Sequence, residues 1–255
     1  MKGYGAQRMV EGEKYRLSFT VGGLLASQGR TLAELFCAQE PSEPSEPSEQ
    51  PESSESQELS PSSECPSPNA EVGESICQIR KQAVTENVLA IRTPSANARI
   101  VGEVLKRLSA LTFEELAYLA GEEASYEDRA ALMWVAMCRY YALVGEFASE
   151  VVLDHFLEGN LTLTYEDYDR YFALKATWHP ELDAISGATY KKLRENLFKA
   201  MDEARILDRG SGTIVPYLMG GTLEKMLAEA PTTLQYFPMR RSRDFLALGT
   251  DSEVR

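Results

Sequence analysis

Residues 188–216 read ATYKKLRENLFKAMDEARILDRGSGTIVP, and the fold turns on this stretch. Tyr190, Leu193, Leu197, Ala200, Met201 and Ala204 recur at helical spacing and fall within about a third of a helix circumference. The remaining arc carries Lys191, Lys192, Glu195 and Lys199. Gly187 offers a break before the helix and Thr189 a candidate N-cap. Beyond Ala204, residues 205–216 read as strand, Gly-containing turn and strand, with Arg209 near the tip and Pro216 closing the second strand. A helix followed at once by a hairpin is the pattern of a winged helix-turn-helix. There the second helix enters the major groove and the wing lies along the neighbouring backbone, so both need cations. Lys191, Lys192, Lys199 and Arg209 supply them, with Thr189 at the start of the same helix. A lysine row also serves simply to keep a surface helix solvated; the hairpin tips the reading toward a polyanion contact.

Working outward, residues 165–176 form a helix opened by Thr164 with Asp167, and His179-Pro180 starts a short one. Trp178 is expected to pack inward and His179 to cap. Residues 126–158 are rich in Leu132, Trp134, Val135, Met137, Tyr141, Val144, Phe147 and Phe156 and should be the core, as one long helix or a pair. Residues 111–120 make a short helix whose Thr112 and Glu115 form a capping box. Ile79, Ala83, Asn87 and Ile91 recur at helical spacing, after which Thr93-Pro94 starts a new helix over residues 94–108. Ile100, Val101, Val104, Leu105 and Leu108 face inward there, while Ser95, Arg99, Gly102, Glu103 and Lys106 line the other side. Two helices joined by a turn suggest a helix-turn-helix, with Arg92, Ser95, Arg99 and Lys106 as a second, mostly phosphate-directed footprint. Nearer the start, residues 15–20 read as a short strand or extended arm, followed by Gly22-Gly23 and a helix over 24–37.

Composition sets further bounds. Residues 40–74 repeat Pro-Ser-Glu, contain no basic or aromatic side chain, and are expected to be a disordered insertion. Their ten glutamates supply most of the formal net charge of −13, so the acidic balance does not exclude an anionic partner. Residues 76–107 hold six basic and two acidic side chains, 187–209 hold six and four, and 108–186 hold four and fifteen. Two basic islands thus flank an acidic middle, which would orient a protein on a duplex rather than coat it. Cys37, Cys65, Cys77 and Cys138 have no metal spacing, and there are only two histidines, so zinc is not expected. The start of the chain lacks the pattern of a secretory leader. Residues 130–144 are apolar but interrupted by Arg139 and shorter than the roughly 20 residues a membrane helix needs. A cytoplasmic protein without membrane contact is expected.

Enzyme motifs are missing: no phosphate-binding GxxxxGK[ST] loop, no HExxH, no nucleophile elbow. Glu146, Glu150, Asp154 and Glu158, with His155 beside them, have the spacing to hold a divalent cation. They lie opposite the apolar stripe and read better as its solvated face. No catalytic residue, metal or cofactor is therefore assigned.

Several phrases resemble those of the BrxA family of the BREX bacteriophage-exclusion systems. They are Tyr15-Arg16-Leu17-Ser18-Phe19-Thr20 with Gly22-Gly23-Leu24, Glu86-Asn87-Val88-Leu89, Arg92-Thr93-Pro94-Ser95, Leu132-Met133-Trp134-Val135-Ala136, Glu146-Phe147-Ala148-Ser149-Glu150-Val151, Lys175-Ala176-Thr177-Trp178-His179-Pro180-Glu181-Leu182 and Thr189-Tyr190-Lys191-Lys192-Leu193-Arg194. The resemblance covers nearly all of the chain outside the Pro-Ser-Glu tract. It implies an all-helical, DNA-binding accessory protein, similar in part to the NusB fold, acting beside other BREX components.

The expected architecture is mainly α: a helical bundle with an N-terminal helix-turn-helix and a C-terminal winged helix-turn-helix. Residues 1–39 and 75–160 would form the first domain, 161–240 the second, and 241–255 a flexible tail. The expected function is non-enzymatic binding of double-stranded DNA with little sequence discrimination, since Lys and Arg outnumber Asn and Gln on these faces. A protein-binding adaptor that assembles the defence complex and a NusB-like RNA-binding protein are the alternatives.

Overall fold

Five hydroxyl side chains fix where the principal helices begin. Thr93, Thr112, Ser125, Thr164 and Ser186 each stand at an N-cap and accept a backbone N–H from the first turn. Glu115, Asp128 and Asp167 complete three of these caps reciprocally, each cap being worth about 1 kcal/mol. In the computed structural model, which describes residues 14–38 and 70–240, the elements are α1 (Ala26–Ala38), α2 (Ala70–Thr85), α3 (Pro94–Leu108), α4 (Phe113–Ala120), α5 (Tyr126–Tyr140), α6 (Ala142–Phe147), a π-helical segment (Ala148–Val152), α7 (Leu153–Leu157), α8 (Tyr165–Ala176), α9 (Pro180–Asp183), α10 (Gly187–Glu203), β1 (Leu207–Asp208), β2 (Thr213–Ile214), α11 (Gly221–Ala228) and a 3-10 turn (Thr233–Tyr236). The protein is mainly α with one small antiparallel hairpin.

Helix α5 is the axle. Ala130 through Cys138 are all buried, as expected of a helix apolar around its whole circumference, and α1, α3, α4, α6, α10 and the 3-10 turn pack around it. The Trp134 indole N–H donates to the Tyr236 carbonyl at 2.9 Å, tying the end of the described chain to the centre. The run expected as one long helix or a pair divides at Tyr141 (φ −109°, ψ 92°). Gly145 permits the break, because a Cβ there would lie 2.7 Å from the Cys138 carbonyl oxygen.

Several expectations need correction. Helix α2 begins at Ala70, inside the segment expected to be disordered: Pro68 is the last proline of the tract, so nothing beyond it bars a helix. Residues 40–69 and the tail at 241–255 lie outside the described residues. Asn87 is not on a helix face. It takes the left-handed conformation (φ 48°) in the turn after α2, and its amide bonds both the N–H and the carbonyl of Ile91 at 3.1 and 3.2 Å. Asparagine tolerates this conformation and so organises the turn into α3. Of the two forms expected for residues 15–20, a short strand or an extended arm, they take the arm, which turns at Phe19-Thr20 and whose Tyr15 and Phe19 are buried.

The arm joins the two halves of the chain. The buried Asn196 amide of α10 donates to the Phe19 carbonyl at 3.0 Å, and the Leu24 N–H donates to the Glu203 carboxylate. From the other side, the Arg107 guanidinium of α3 donates to the carbonyls of Gly23 and Leu24 at 2.7 and 3.0 Å. Gly23 suits this closeness: a Cβ there would meet the Glu203 carboxylate, which would have to shift from the Leu24 N–H. The buried apolar residues of both halves accordingly form one continuous cluster.

Candidate nucleic-acid interface

Helix α10 presents Lys191, Lys192, Glu195 and Lys199 to solvent and buries Leu193, Leu197, Ala200 and Met201. Its cap is Ser186 rather than Thr189. Thr189 donates its N–H to the Ser186 hydroxyl at 3.1 Å, and its own hydroxyl shares a 3.0 Å contact with it. The lysines are not equivalent. Lys199 lies 3.6 Å from Glu203 and Lys192 4.0 Å from Glu195, whereas Lys191 has no carboxylate partner among the described residues. Lys192 and Lys199 also share their helical stripe with Asn196 and Glu203, the two side chains that hold the arm.

The hairpin follows α10 directly, with Leu207 opposite Ile214 and Asp208 opposite Thr213. Leu207 and Ile214 are buried while Asp208, Arg209, Gly210 and Ser211 are exposed, so the base is anchored in the core and the tip projects. A third extended segment lies against the second strand: the Ile214 N–H donates to the Leu161 carbonyl at 2.7 Å and the Leu163 N–H to the Gly212 carbonyl at 2.8 Å. Asp208 organises the tip, accepting the Gly210 N–H at 2.9 Å and the Ser211 hydroxyl at 2.7 Å. Those bonds, the Ser211 hydroxyl foremost, hold its carboxyl below the ordinary aspartate range. Arg209 extends toward the Tyr165 hydroxyl at 3.5 Å.

On the other half, Arg92, Ser95, Arg99 and Lys106 are all exposed on or just before α3. Lys106 donates to the Ser18 hydroxyl at 3.3 Å, and none of these three cations has a carboxylate partner among the described residues. Glu103, expected beside them on the surface, is 3% exposed. It accepts from the fully buried Arg107 at 3.1 and 3.0 Å and from the Tyr141 hydroxyl at 2.7 Å. An isolated charge inside this core would be very costly, so the two helix neighbours go in as a pair.

Other cations also do internal work. Arg139 grips Glu115 with bonds of 2.6 and 2.8 Å, Arg194 holds Asp169 and stacks 4.5 Å from the Tyr165 ring centroid, and Lys175 binds Glu146 and Glu150. Glu150, Asp154 and Glu158 of the carboxylate row are exposed, as expected of a solvated face, whereas Glu146 is half-buried and also accepts the Tyr15 hydroxyl at 2.6 Å. The π-helical segment Ala148–Val152 adds a wider turn in the middle of the row, so the straight i, i+4 ladder does not form. Trp178 is likewise corrected, being 81% exposed. The inward place goes to His179, whose ring packs 4.2 Å from that of Tyr15 and whose Nδ1 meets Glu181 at 3.1 Å; it makes no side-chain cap bond.

Two further exposed cations, Arg16 on the arm and Arg80 on α2, are not among those expected from the sequence. Arg80 lies beside Arg99 and Lys106 around one cleft, and Arg16 stacks on a tyrosine of its wall. Helical periodicity places Arg80 on a helix, but nothing local in sequence shows that it meets residues of the next helix. No helix of the described residues is long and apolar enough to cross a membrane.

These features define a mainly helical protein that carries an exposed lysine face on the helix leading into the hairpin and, on α3, a second basic face with no carboxylate partner among the described residues. The chain belongs to the BrxA family, whose model matches residues 70–230. BREX protein BrxA of Escherichia coli O9:H4 (strain HS) is 27% identical over 129 residues, covering 51% of this chain and 60% of the relative. BREX protein BrxA of Bacillus cereus (strain H3081.97) is 26% identical over 137 residues, covering 53% of this chain and 66% of the relative. The matched part therefore spans less than two thirds of either curated relative. A solved structure described as an uncharacterized protein from Magnetospirillum magneticum shares the fold, with a TM-score of 0.64 and 16% identity over 88% of this chain and 97% of that one.

Proposed function

We propose that this chain is a component of a BREX phage-defence system and binds double-stranded DNA mainly through its phosphates. In this reading α8, α9, α10 and the hairpin act as a winged helix-turn-helix, with α10 at the groove and the tip carrying Arg209 along the backbone. Helices α2 and α3 act as the second helix-turn-helix, with Arg92, Ser95, Arg99 and Lys106 on phosphates. The observation that carries the proposal is the joint exposure of Lys191, Lys192 and Lys199 on the helix that leads into a hairpin whose base is buried and whose tip is exposed. Its role is binding, with no catalytic step assigned, in the cytoplasm beside the other BREX components.

Fluorescence anisotropy with a random-sequence duplex tests this. Binding should weaken steeply with salt, by a log–log slope of about −0.9 per phosphate engaged, and the double variant Lys191→Glu, Lys192→Glu should abolish it. Retained duplex affinity in that variant would refute α10 as the contact. Stronger binding to single-stranded RNA in direct competition would favour the RNA reading instead.

The adaptor reading draws on a different observation. Leu174 near the end of α8 and Trp178 in the turn after it are 63% and 81% exposed, an arrangement common at protein contacts. If the lysine variant keeps its DNA affinity, and Trp178→Ala removes the chain from a pull-down with other BREX components, this second reading prevails.

A further inference from the structure

Between the arm, α2 and α3 lies an open cleft of about 510 Å³. Ser18, Arg80, Arg99, Gly102, Lys106 and Tyr140 are among the residues that line it. Arg16 stands over the Tyr140 ring, its guanidinium carbon 4.8 Å from the centroid, which fixes the plane of the group and leaves its N–H edges available. Arg16, Arg80, Arg99 and Lys106 make no ion pair among the described residues, and the bond from Lys106 is to the neutral Ser18 hydroxyl. Glu103, the acid in the lining, is already neutralised by Arg107 and bonded by the Tyr141 hydroxyl. Its charge is therefore not available to Arg80, Arg99 and Lys106, the three cations that line the cleft, or to Arg16 on the Tyr140 ring. Like charges gathered around a concavity raise the local potential and favour a counter-anion there.

The shape narrows the ligand. A volume of about 510 Å³ lies within the range of about 300–1,000 Å³ usual for small-ligand sites and does not admit a duplex. Guanidinium groups match phosphate oxygens bidentately, a lysine adds a point charge, and a serine hydroxyl adds a neutral donor. We propose that this cleft binds a terminal phosphate or polyphosphate group, the chemistry shared by a free nucleoside triphosphate and the phosphorylated end of a nucleic-acid strand. The site is separate from the lysine face of α10 but shares Arg99 and Lys106 with the second duplex footprint proposed above, so a duplex and the small phosphate ligand would compete for those two side chains.

Isothermal titration calorimetry on the full chain tests it with four probes: inorganic triphosphate, ATP, and a single-stranded oligonucleotide carrying either a 5′-phosphate or a 5′-hydroxyl. Binding of triphosphate and ATP assigns the site to a free polyphosphate. A preference of about tenfold or more for the 5′-phosphorylated strand, with weak free nucleotide, assigns it to a strand end. Arg80→Glu should lower the affinity of the bound probe by at least about tenfold, because it reverses a contact to a charged group. Gly102→Glu is the second variant. It leaves every arginine in place but sets a carboxylate beside Arg80, whose guanidinium lies 3.9 Å from where a Cβ would stand, and it should compete with the ligand. No binding of any probe, or binding unchanged in both folded variants, overturns the proposal. Loss of duplex binding in Lys191→Glu, Lys192→Glu with triphosphate binding intact would separate the two sites.

Discussion

Helices α3 and α10 look alike in sequence, each an amphipathic helix with a cationic outer face, yet they use their charges in opposite ways. On α3 the ion pair is inside, between Glu103 and Arg107, and the outer Arg99 and Lys106 have no acidic partner among the described residues. On α10 the acids are outside, with Glu195 and Glu203 next to Lys192 and Lys199, and the inner polar residue Asn196 serves the arm. Equal counts of lysine and arginine therefore do not mean equal positive potential. What matters to a polyanion is the charge left over after pairing.

The comparison breaks most visibly at the buried pair. Arg107→Ala should cost about 3–5 kcal/mol, since it strands the Glu103 carboxylate and frees two arm carbonyls. Exposed Arg99→Ala should stay within about 0.5 kcal/mol. Urea midpoints at constant slope read both, and similar midpoints would show that the internal pair is dispensable. Next in size, Gly23→Ala should cost about 1–3 kcal/mol, because the new Cβ displaces the Glu203 carboxylate and leaves the Leu24 N–H without its acceptor. The melting temperature should drop and the Leu24 amide should exchange faster with solvent.

Duplex binding sharpens the contrast. Arg99→Ala should flatten the log–log salt dependence by about 0.9, the change expected when the protein engages one phosphate fewer. Lys192→Ala, partly neutralised already, should flatten it less; equal changes would mean that the 4.0 Å approach of Glu195 has no influence. Glu195→Gln is the converse, expected to tighten duplex binding by about two- to threefold, in keeping with the small worth of an exposed pair. The smallest effect belongs to the hairpin tip. The carboxyl of Asp208 titrates below its unfolded value, so the order it gives the tip is complete above about pH 4 and is lost as pH falls through the lowered pKa. The Gly210 amide shift followed by NMR should report that transition, and a shift unchanged between pH 6 and pH 2 would contradict it.

Much of this is legible in the sequence because it is local. Thr93-Pro94, Thr112 with Glu115 and Thr164 with Asp167 announce their helices within four residues. The change of period after Ala204, with Gly210 and Gly212 in the turn, announces the hairpin. The apolar run around Trp134 could only be central. Trp178 and Glu103 depart from expectation because hydrophobicity and charge set a preference for inside or outside, and distant partners override it. His179 occupies the space next to Tyr15, and Arg107 with Tyr141 makes a buried carboxylate tolerable.

By itself, then, the sequence determined where the capped helices at Thr93, Thr112 and Thr164 start, where the hairpin turns, and which cations exist. Only the tertiary structure decided which of those cations are free. The partners of Arg107, Arg139, Arg194 and Lys175 include groups 24 to 84 positions away along the chain, while Arg80, Arg99 and Lys106 come from two helices to one cleft with no carboxylate partner among the described residues. Whether a charge is neutralised depends on distance in space, and periodicity along a helix cannot report that.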